Sequence, residues 1–381
     1  MNIRFDVLGF SYFIHSQIAA GLWFFHIFSK LEKEFFTLSG LGSEQVLIYG
    51  VNDHTFMGYQ GAGALIAMVL VGLWFGRQHL KNVLTKALGY APHIDDSDEI
   101  MSYRAAVIGA VGGMSILLGW LWVMGTPWWI ALVFVLLAML IFIGITRIVT
   151  EAGLVMVRAP MIAPDLVVQG LGSTLVGTTG VFNMSLTYMW AADVRVFVMG
   201  TCATALKMIN EMDIHSRRRV FWGIVLALLI GALGSCWMIF HLVYRYGAIN
   251  MGDWFFSGGP RTAYEHTIRN LDPTGVYWPG LGFFTGGGGV MVLLMWLRQR
   301  LVWWPVHPIG FPIGANAMMN GLWFSIFLAW ACKGFILRYG GSVAYQQGQT
   351  FFLGLISGQV LCSGIWLCID YFTGAVGNRP F

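Results

Sequence analysis

Charged side chains are scarce in this 381-residue chain: they make up 10% of the residues, whereas 57% are hydrophobic. A typical soluble domain carries about 25% charged residues. The net charge is only +4, and there is no basic tract suited to a phosphate backbone. The composition therefore excludes an ordinary soluble domain and argues against a nucleic-acid partner.

Cysteine pairs and catalytic motifs are also missing. The five cysteines are scattered without a CxxC pair, which argues against a zinc site and a disulfide framework. No GxSxG, HExxH, serine-histidine-aspartate order or GK[ST] phosphate loop is present. We therefore expect no enzyme activity, no catalytic residue, no cofactor and no metal. The start, MNIRFDVLGFSYF, lacks the basic segment of a cleaved signal peptide.

What the chain has instead is long apolar stretches, near the 20 residues that a helix needs to cross a membrane. Hydropathy predicts an all-α, polytopic integral membrane helix bundle with about eight to ten transmembrane helices and re-entrant segments. The fifth stretch is rich in Gly and Thr and the sixth is short, so this pair is alternatively a broken element. The predicted spans are 8–30, 58–76, 105–124, 128–146, 166–190, 194–209, 220–245, 277–297, 320–338 and 351–372.

The SRRR run that ends at Arg219 gives the strongest orientation signal. By the positive-inside rule, it predicts both termini in the cytoplasm of a multi-pass cell (plasma) membrane protein. The lipid bilayer is then the first partner.

Glycine is abundant, with 49 residues. GxxxG spacing at Gly310/Gly314 and three other pairs favours close helix packing. The GGGG run at Gly286 to Gly289 predicts a helix that is either tightly packed or locally unwound. The Pro- and Gly-rich segment from Trp303 to Asn320 predicts a loop or re-entrant hairpin. Within it, His307 is interpreted as a turn anchor or, alternatively, as a proton carrier.

Two extramembrane stretches are long. The first ends in IDDSDEIMSYR, where Asp96 and Glu99 have capping-box spacing, so we favour a helix cap over a metal site. The second, from Tyr246 to Tyr277, contains a Gly-Gly-Pro turn signal and is interpreted as an outer loop or lid.

The main functional candidate is TRIVTEAGLVMVRAP, in which helical periodicity places Arg147, Thr150, Glu151 and Arg158 on one face. Charges beside hydrocarbon are costly and normally face a protein interior or a watery cavity. The alternative is a structural clamp in which Arg147 reaches the interface and pairs with Glu151. Gly153 and Pro160 predict a break in this helix, as in elements that line transporter sites.

Asp193 and Arg195, in YMWAADVRVF, form a second charged candidate within the membrane. His307 completes the set of residues that we expect to line a transport path.

The runs NIRFDVLGFSYF, KALGYAPHIDDSDEIMSYR, TRIVTEAGLVMVRAP, WWPVHPIGF and LWFSIFLAWACKGFILRYGG resemble a family of large bacterial and archaeal polytopic membrane proteins of unknown function. The resemblance implies a membrane domain over 1–276 and a C-terminal domain of unknown function over 277–381. Members are longer at the N-terminus, so the chain resembles a second half, with a separately encoded N-terminal half or a homo-oligomer as partner. The family is also distantly similar to the oligopeptide transporter superfamily.

Our leading hypothesis is a secondary transporter, or transporter half, for a small polar or peptide-like solute, with Glu151 coupling transport to protons. The alternative is a non-transporting membrane scaffold or a subunit of a larger complex.

Overall fold

The computed structural model describes residues 3–42, 45–51, 54–91, 94–97, 99–154, 157–191, 198–210, 217–301 and 303–374. In these ranges the chain is all-α, with fifteen α-helices and no β-strand, which confirms the predicted fold class. The helices are α1 (Phe5–Phe13), α2 (Ser16–Leu38), α3 (Thr55–Phe75), α4 (Arg77–Ala87), α5 (Tyr103–Val123), α6 (Trp128–Ala152), α7 (Ala163–Leu171), α8 (Ser173–Ala191), α9 (Met199–Asn210), α10 (Arg217–Tyr246), α11 (Gly259–Arg269), α12 (Trp278–Arg300), α13 (Phe311–Gly314), α14 (Met319–Tyr339) and α15 (Gly341–Thr373).

Seven of these helices are long and apolar enough to cross a membrane, so the chain is a membrane-embedded helical protein. They correspond to seven of the ten predicted spans. The seven are Thr55–Phe75, Tyr103–Val123, Trp128–Ala152, Arg218–Tyr246, Trp278–Arg300, Met319–Tyr339 and Gly341–Thr373.

The other three predicted spans differ from single crossing helices. Span 8–30 is divided between α1 and α2, because the backbone at Ile14 is extended. Span 166–190 is broken at Gly172 and kinked again at Gly177, as the alternative interpretation expected. In span 194–209 the described helix, α9, has 12 residues, fewer than a straight crossing needs.

The chain divides into two compact units. The first contains residues 1–65, 151–160 and 283–381. Here α1 packs against α14 and α15, and α2 packs against α13 and α14. The segment between α12 and α14 is a loop with short helical turns, and its residues Ile309 and Ile313 are buried within the unit.

The second unit contains residues 66–150 and 161–282. In it α4 packs against α5, and α8 packs against both α7 and α11. The amide of Asn183, on α8, donates hydrogen bonds of 2.9 Å to Met124 O and to Thr126 Oγ1, which join α8 to the turn between α5 and α6. Buried polar groups of this kind fix one register because leaving them unpaired is costly.

Glycine allows close backbone contact in the first unit, although mostly outside the GxxxG pairs. Gly63 lies against the backbone of Phe284, and Gly287 lies against that of Gln60. The predicted GGGG segment is thus a continuous part of α12 rather than an unwound one, with its close backbone contact at Gly287. Of the four GxxxG pairs, only Gly310/Gly314 has backbone neighbours at both positions.

This contact predicts that Gly287→Ala destabilises the protein by about 1 to 3 kcal/mol, because the added methyl group overlaps the Gln60 backbone. Gly289→Ala, on the same helix with open space at its Cβ position, is the matched control. It should be neutral or stabilising, by up to about 1 kcal/mol, because Ala favours helix more than Gly. Thermal unfolding in detergent measures both; equal melting temperatures would contradict the packing.

Candidate functional site: a buried aspartate, histidine and serine

The short helix α7 places a carboxylate inside the second unit. Pro164 lies in the first turn of α7, where its missing N–H has no cost. Asp165 follows in the same turn, where the positive end of the helix dipole favours a negative charge. Its side chain is completely buried.

The break between α7 and α8 is held by hydrogen bonds to the segment before α12. Gly172 has φ of 86°, a conformation that favours glycine, and a Cβ there would meet the backbone of Gly275. Ser173 Oγ accepts a 2.9 Å hydrogen bond from Thr274 N, and Thr174 N donates to Thr274 O at 3.2 Å. The break is therefore a built feature rather than a frayed end.

The segment predicted as an outer loop or lid, 246–277, contains helix α11, and its outer position stays a prediction. The Gly-Gly-Pro signal does not form a turn, because Gly258 and Gly259 have right-handed helical φ and ψ and Pro260 lies at the start of α11. One face of α11 packs against α8 and buries Ala263, His266 and Thr267.

His266 lies between two polar side chains. Its Nδ1 is 2.9 Å from Ser185 Oγ on α8, and its Nε2 is 3.3 Å from Asp165 Oδ1 on α7. The side chains of His266 and Asp165 are 3% and 0% exposed, and Ser185 is also fully buried. The Nε2 atom makes no aligned hydrogen bond, so its contact with Asp165 is mainly electrostatic.

The three side chains can hold different numbers of protons. Ser185 Oγ is 2.8 Å from Val181 O and 2.9 Å from His266 Nδ1, but a hydroxyl group has one proton to donate. If Ser185 donates its proton to Val181 O, it accepts a hydrogen bond from His266, whose Nδ1 then carries a proton. A second proton on His266 Nε2 makes the imidazole a cation that faces Asp165. If Ser185 donates to His266, a neutral imidazole carries its one proton on Nε2. The same heavy-atom positions therefore fit two states that differ by one proton.

A serine, a histidine and an aspartate in contact also suggest hydrolysis. A nucleophile must reach its substrate, whereas Ser185 is 0% exposed. The hydroxyl group also lies within hydrogen-bonding distance of Val181 O, the acceptor typical of a serine inside a helix. The arrangement suits proton binding better than acyl transfer.

The residues predicted on one face of α6 are separated. Arg147 and Thr150 belong to α6, but the helix ends at Ala152, because Gly153 takes a φ of 65°. Arg158 therefore lies beyond the helix, and its predicted place on that face is wrong. The predicted break at Gly153 is confirmed.

Arg147 and Thr150 lie on the part of α6 that belongs to the second unit, and both take part in hydrogen bonds with backbone carbonyl groups. Arg147 Nη1 donates to Met68 O at 3.2 Å, and Lys207 Nζ donates to Thr150 O at 2.7 Å. Thr150 Oγ1 is within hydrogen-bonding distance of Thr146 O and Arg147 O on its own helix. These contacts join Arg147 and Lys207 to backbone carbonyl groups, and the clamp between Arg147 and Glu151 stays a prediction.

In the first unit, the Arg158 guanidinium lies 4.6 Å from the centroid of the Tyr49 ring. Asn316 Nδ2 donates a 2.9 Å hydrogen bond to Arg158 O, which fixes the segment after the break. Glu151 is exposed and interacts electrostatically with Arg298.

His307 is a turn anchor, as the favoured interpretation expected. Its Nδ1 accepts a 3.1 Å hydrogen bond from Ile309 N, and its Nε2 contacts Arg298 Nη1.

Asp193 and Arg195 lie outside the described residues, so the structure does not place them.

The described residues contain no group of three or more His, Cys, Asp or Glu side chains arranged to hold a metal ion.

Asp96 Oδ2 accepts a 3.1 Å hydrogen bond from Tyr103 N at the start of α5, in line with the predicted cap. The cap residue itself is Ser102, whose Oγ accepts from Ala105 N at 3.3 Å.

The sequence pattern contains only a weak signal for the buried cluster. The 27 residues after Asp165, 166–192, carry no charge, so Asp165 is an acid at the edge of an apolar region. His266 lies among Arg261, Glu265 and Arg269, and this charged setting is typical of an exposed loop. Nothing in the pattern around Ser185 indicated a partner.

Together, the apolar helices and the all-α fold define a membrane-embedded helical protein. Over residues 1–380 the sequence matches the model of a family described as "Family of unknown function (DUF6785)". The chain therefore belongs to the DUF6785 family. No curated protein and no solved structure matches it. The match covers both predicted domains, and the boundary at residue 277 stays a prediction.

The buried pair makes a quantitative prediction for a double-mutant cycle with Asp165→Asn and His266→Gln. Because both side chains are buried and water does not screen their contact, we expect a coupling energy of about 1 to 3 kcal/mol. The exposed pair Arg261–Glu265, also on α11 and 2.7 Å apart, is the control and should couple by about 0.3 to 0.5 kcal/mol. Chemical unfolding in detergent measures both cycles, and equal couplings would contradict a special role for burial.

Proposed function

We propose that this membrane protein is a secondary transporter, or a transporter half, that moves a small polar or peptide-like solute together with protons. The observation that carries the proposal is the buried Asp165, His266 and Ser185 cluster at a broken helix. Discontinuous helices place backbone ends and ionisable groups at substrate and ion sites in many transporters. Charged groups inside membrane proteins also mark proton relays.

In this proposal the Asp165–His266 pair carries the proton, instead of Glu151. A carrier must exchange its proton inside the protein, and Asp165 is fully buried whereas Glu151 is exposed at the end of α6. The sequence-based prediction that Glu151 couples transport is untested, and the experiment below distinguishes it from the Asp165–His266 pair.

Several finer features belong to the same proposal. The protein lies in the cell membrane with both termini in the cytoplasm, has no enzyme activity, and works with a separately encoded N-terminal half or as a homo-oligomer. The distant similarity to the oligopeptide transporter superfamily that the sequence resemblance implies stays a prediction, and it motivates peptides as the first solutes to test.

A membrane scaffold is the second candidate, and helix α10 favours it. None of the apolar window of α10 is buried within the chain, so a 30-residue helix is available to lipid or to another subunit. In a scaffold, Asp165 and His266 hold α7, α8 and α11 together, and another protein supplies the activity.

Proteoliposomes with a trapped pH dye test the transport proposal. Adding dialanine outside should acidify the interior for the wild type, and Asp165→Asn should abolish this flux because its amide cannot carry the proton. Glu151→Gln is the matched variant, with the same loss of one carboxylate at an exposed position, and should retain most of the flux.

Unchanged proton flux in Asp165→Asn would contradict the proposed carrier, and a loss confined to Glu151→Gln would assign coupling to Glu151. If the wild type moves no proton with any solute in a panel of dipeptides and amino acids, the scaffold becomes the better account.

A further inference from the structure

Lys333, on α14, is buried inside the first unit, with 8% of its surface exposed. It is the only lysine among the described residues that reaches this degree of burial. Burying an ammonium group is expensive unless it is compensated. No carboxylate of the described chain lies within ion-pair distance of Lys333, so the compensation comes from other groups.

Those groups are one carbonyl oxygen and two aromatic rings. Lys333 Nζ donates a 2.8 Å hydrogen bond to Ile14 O. It also lies 5.1 Å from the ring centroid of Tyr345 and 6.0 Å from that of Tyr12, within the range of cation–π attraction. We call Tyr12, Tyr345 and the Ile14 carbonyl the tyrosine pocket.

The tyrosine pocket is preformed by the ends of its helices. Ile14 has an extended backbone between α1 and α2, so its carbonyl group is released from helical hydrogen bonding. Tyr12 stacks on Tyr345 with centroids 5.0 Å apart, and Tyr12 Oη donates a 3.2 Å hydrogen bond to Tyr345 O. Phe352 also stacks on Tyr12, with ring centroids 3.9 Å apart. The rings are therefore held in place by contacts that do not involve the ammonium group.

We propose that the tyrosine pocket is a binding site for a small monovalent cation, best an alkylammonium ion, and that Lys333 is its tethered occupant. An unwound carbonyl oxygen is the group with which discontinuous membrane helices bind cations. Aromatic faces favour weakly hydrated cations such as ammonium ions. The site is separate from the Asp165–His266 cluster, and its test needs no transport.

The test uses Lys333→Ala and Lys333→Ser, which vacate the pocket and leave its walls intact. Melting temperatures of the detergent-solubilised full chain are measured in the chlorides of methylammonium, potassium, sodium and N-methylglucamine, the last being too large to enter. Methylammonium should raise the melting temperature of both variants logarithmically with its concentration, by about 3 °C at about ten times its Kd. The wild type should show no such rise, because its own ammonium group fills the site.

Lys207→Ala is the control, since Lys207 also donates to a helix carbonyl group but is exposed. It should show no preference for methylammonium over N-methylglucamine. If the Lys333 variants fold only in methylammonium or potassium chloride, the proposal is supported. It is overturned if they respond equally to all four salts, or if neither variant folds in any of them.

Discussion

The burial of the Asp165 carboxylate is the constraint on which the organisation of the second unit depends. An isolated charge in an apolar interior costs several kcal/mol, so it needs compensation. The dipole of α7 supplies part of it, and His266 supplies a nearby imidazole group. For His266 to reach this position, the segment after α10 must fold back as α11 against α8. The break at Gly172 then positions α7 and α8 around the pair.

The first unit handles its buried charge in a similar way. Lys333 lies at the gap between α1 and α2, where the Ile14 carbonyl group is free of helical bonding. In the first unit a free carbonyl group at a helix break compensates the ionisable side chain, and in the second the N-terminal dipole of α7 and the His266 side chain do so. Unbroken helices satisfy their own backbone groups, so the carbonyl group that binds Lys333 depends on the break at Ile14.

Much of the fold followed from the sequence, because membrane solubility imposes long apolar helices whose length is nearly fixed. The break after α6 was also predictable, since Gly153 permits a left-handed conformation. The pairing of Asp165 with His266 was not predictable, because it joins residues 101 positions apart and charged neighbours make α11 resemble a solvated loop. The position predicted for Arg158 was wrong because helical periodicity was extended beyond Gly153, the glycine that ends α6.

Access of water to the buried Asp165–His266 pair distinguishes most directly between a proton carrier and a pair that only holds helices together. The measurement is labelling of Ser185→Cys by a membrane-impermeant thiol reagent, in a chain whose five native cysteines are replaced by serine. Met184→Cys, equally buried one position earlier, is the control. The account predicts that Ser185→Cys is labelled, at a rate that changes with added solute, and that Met184→Cys is not. Equal protection of both positions under all conditions would contradict it.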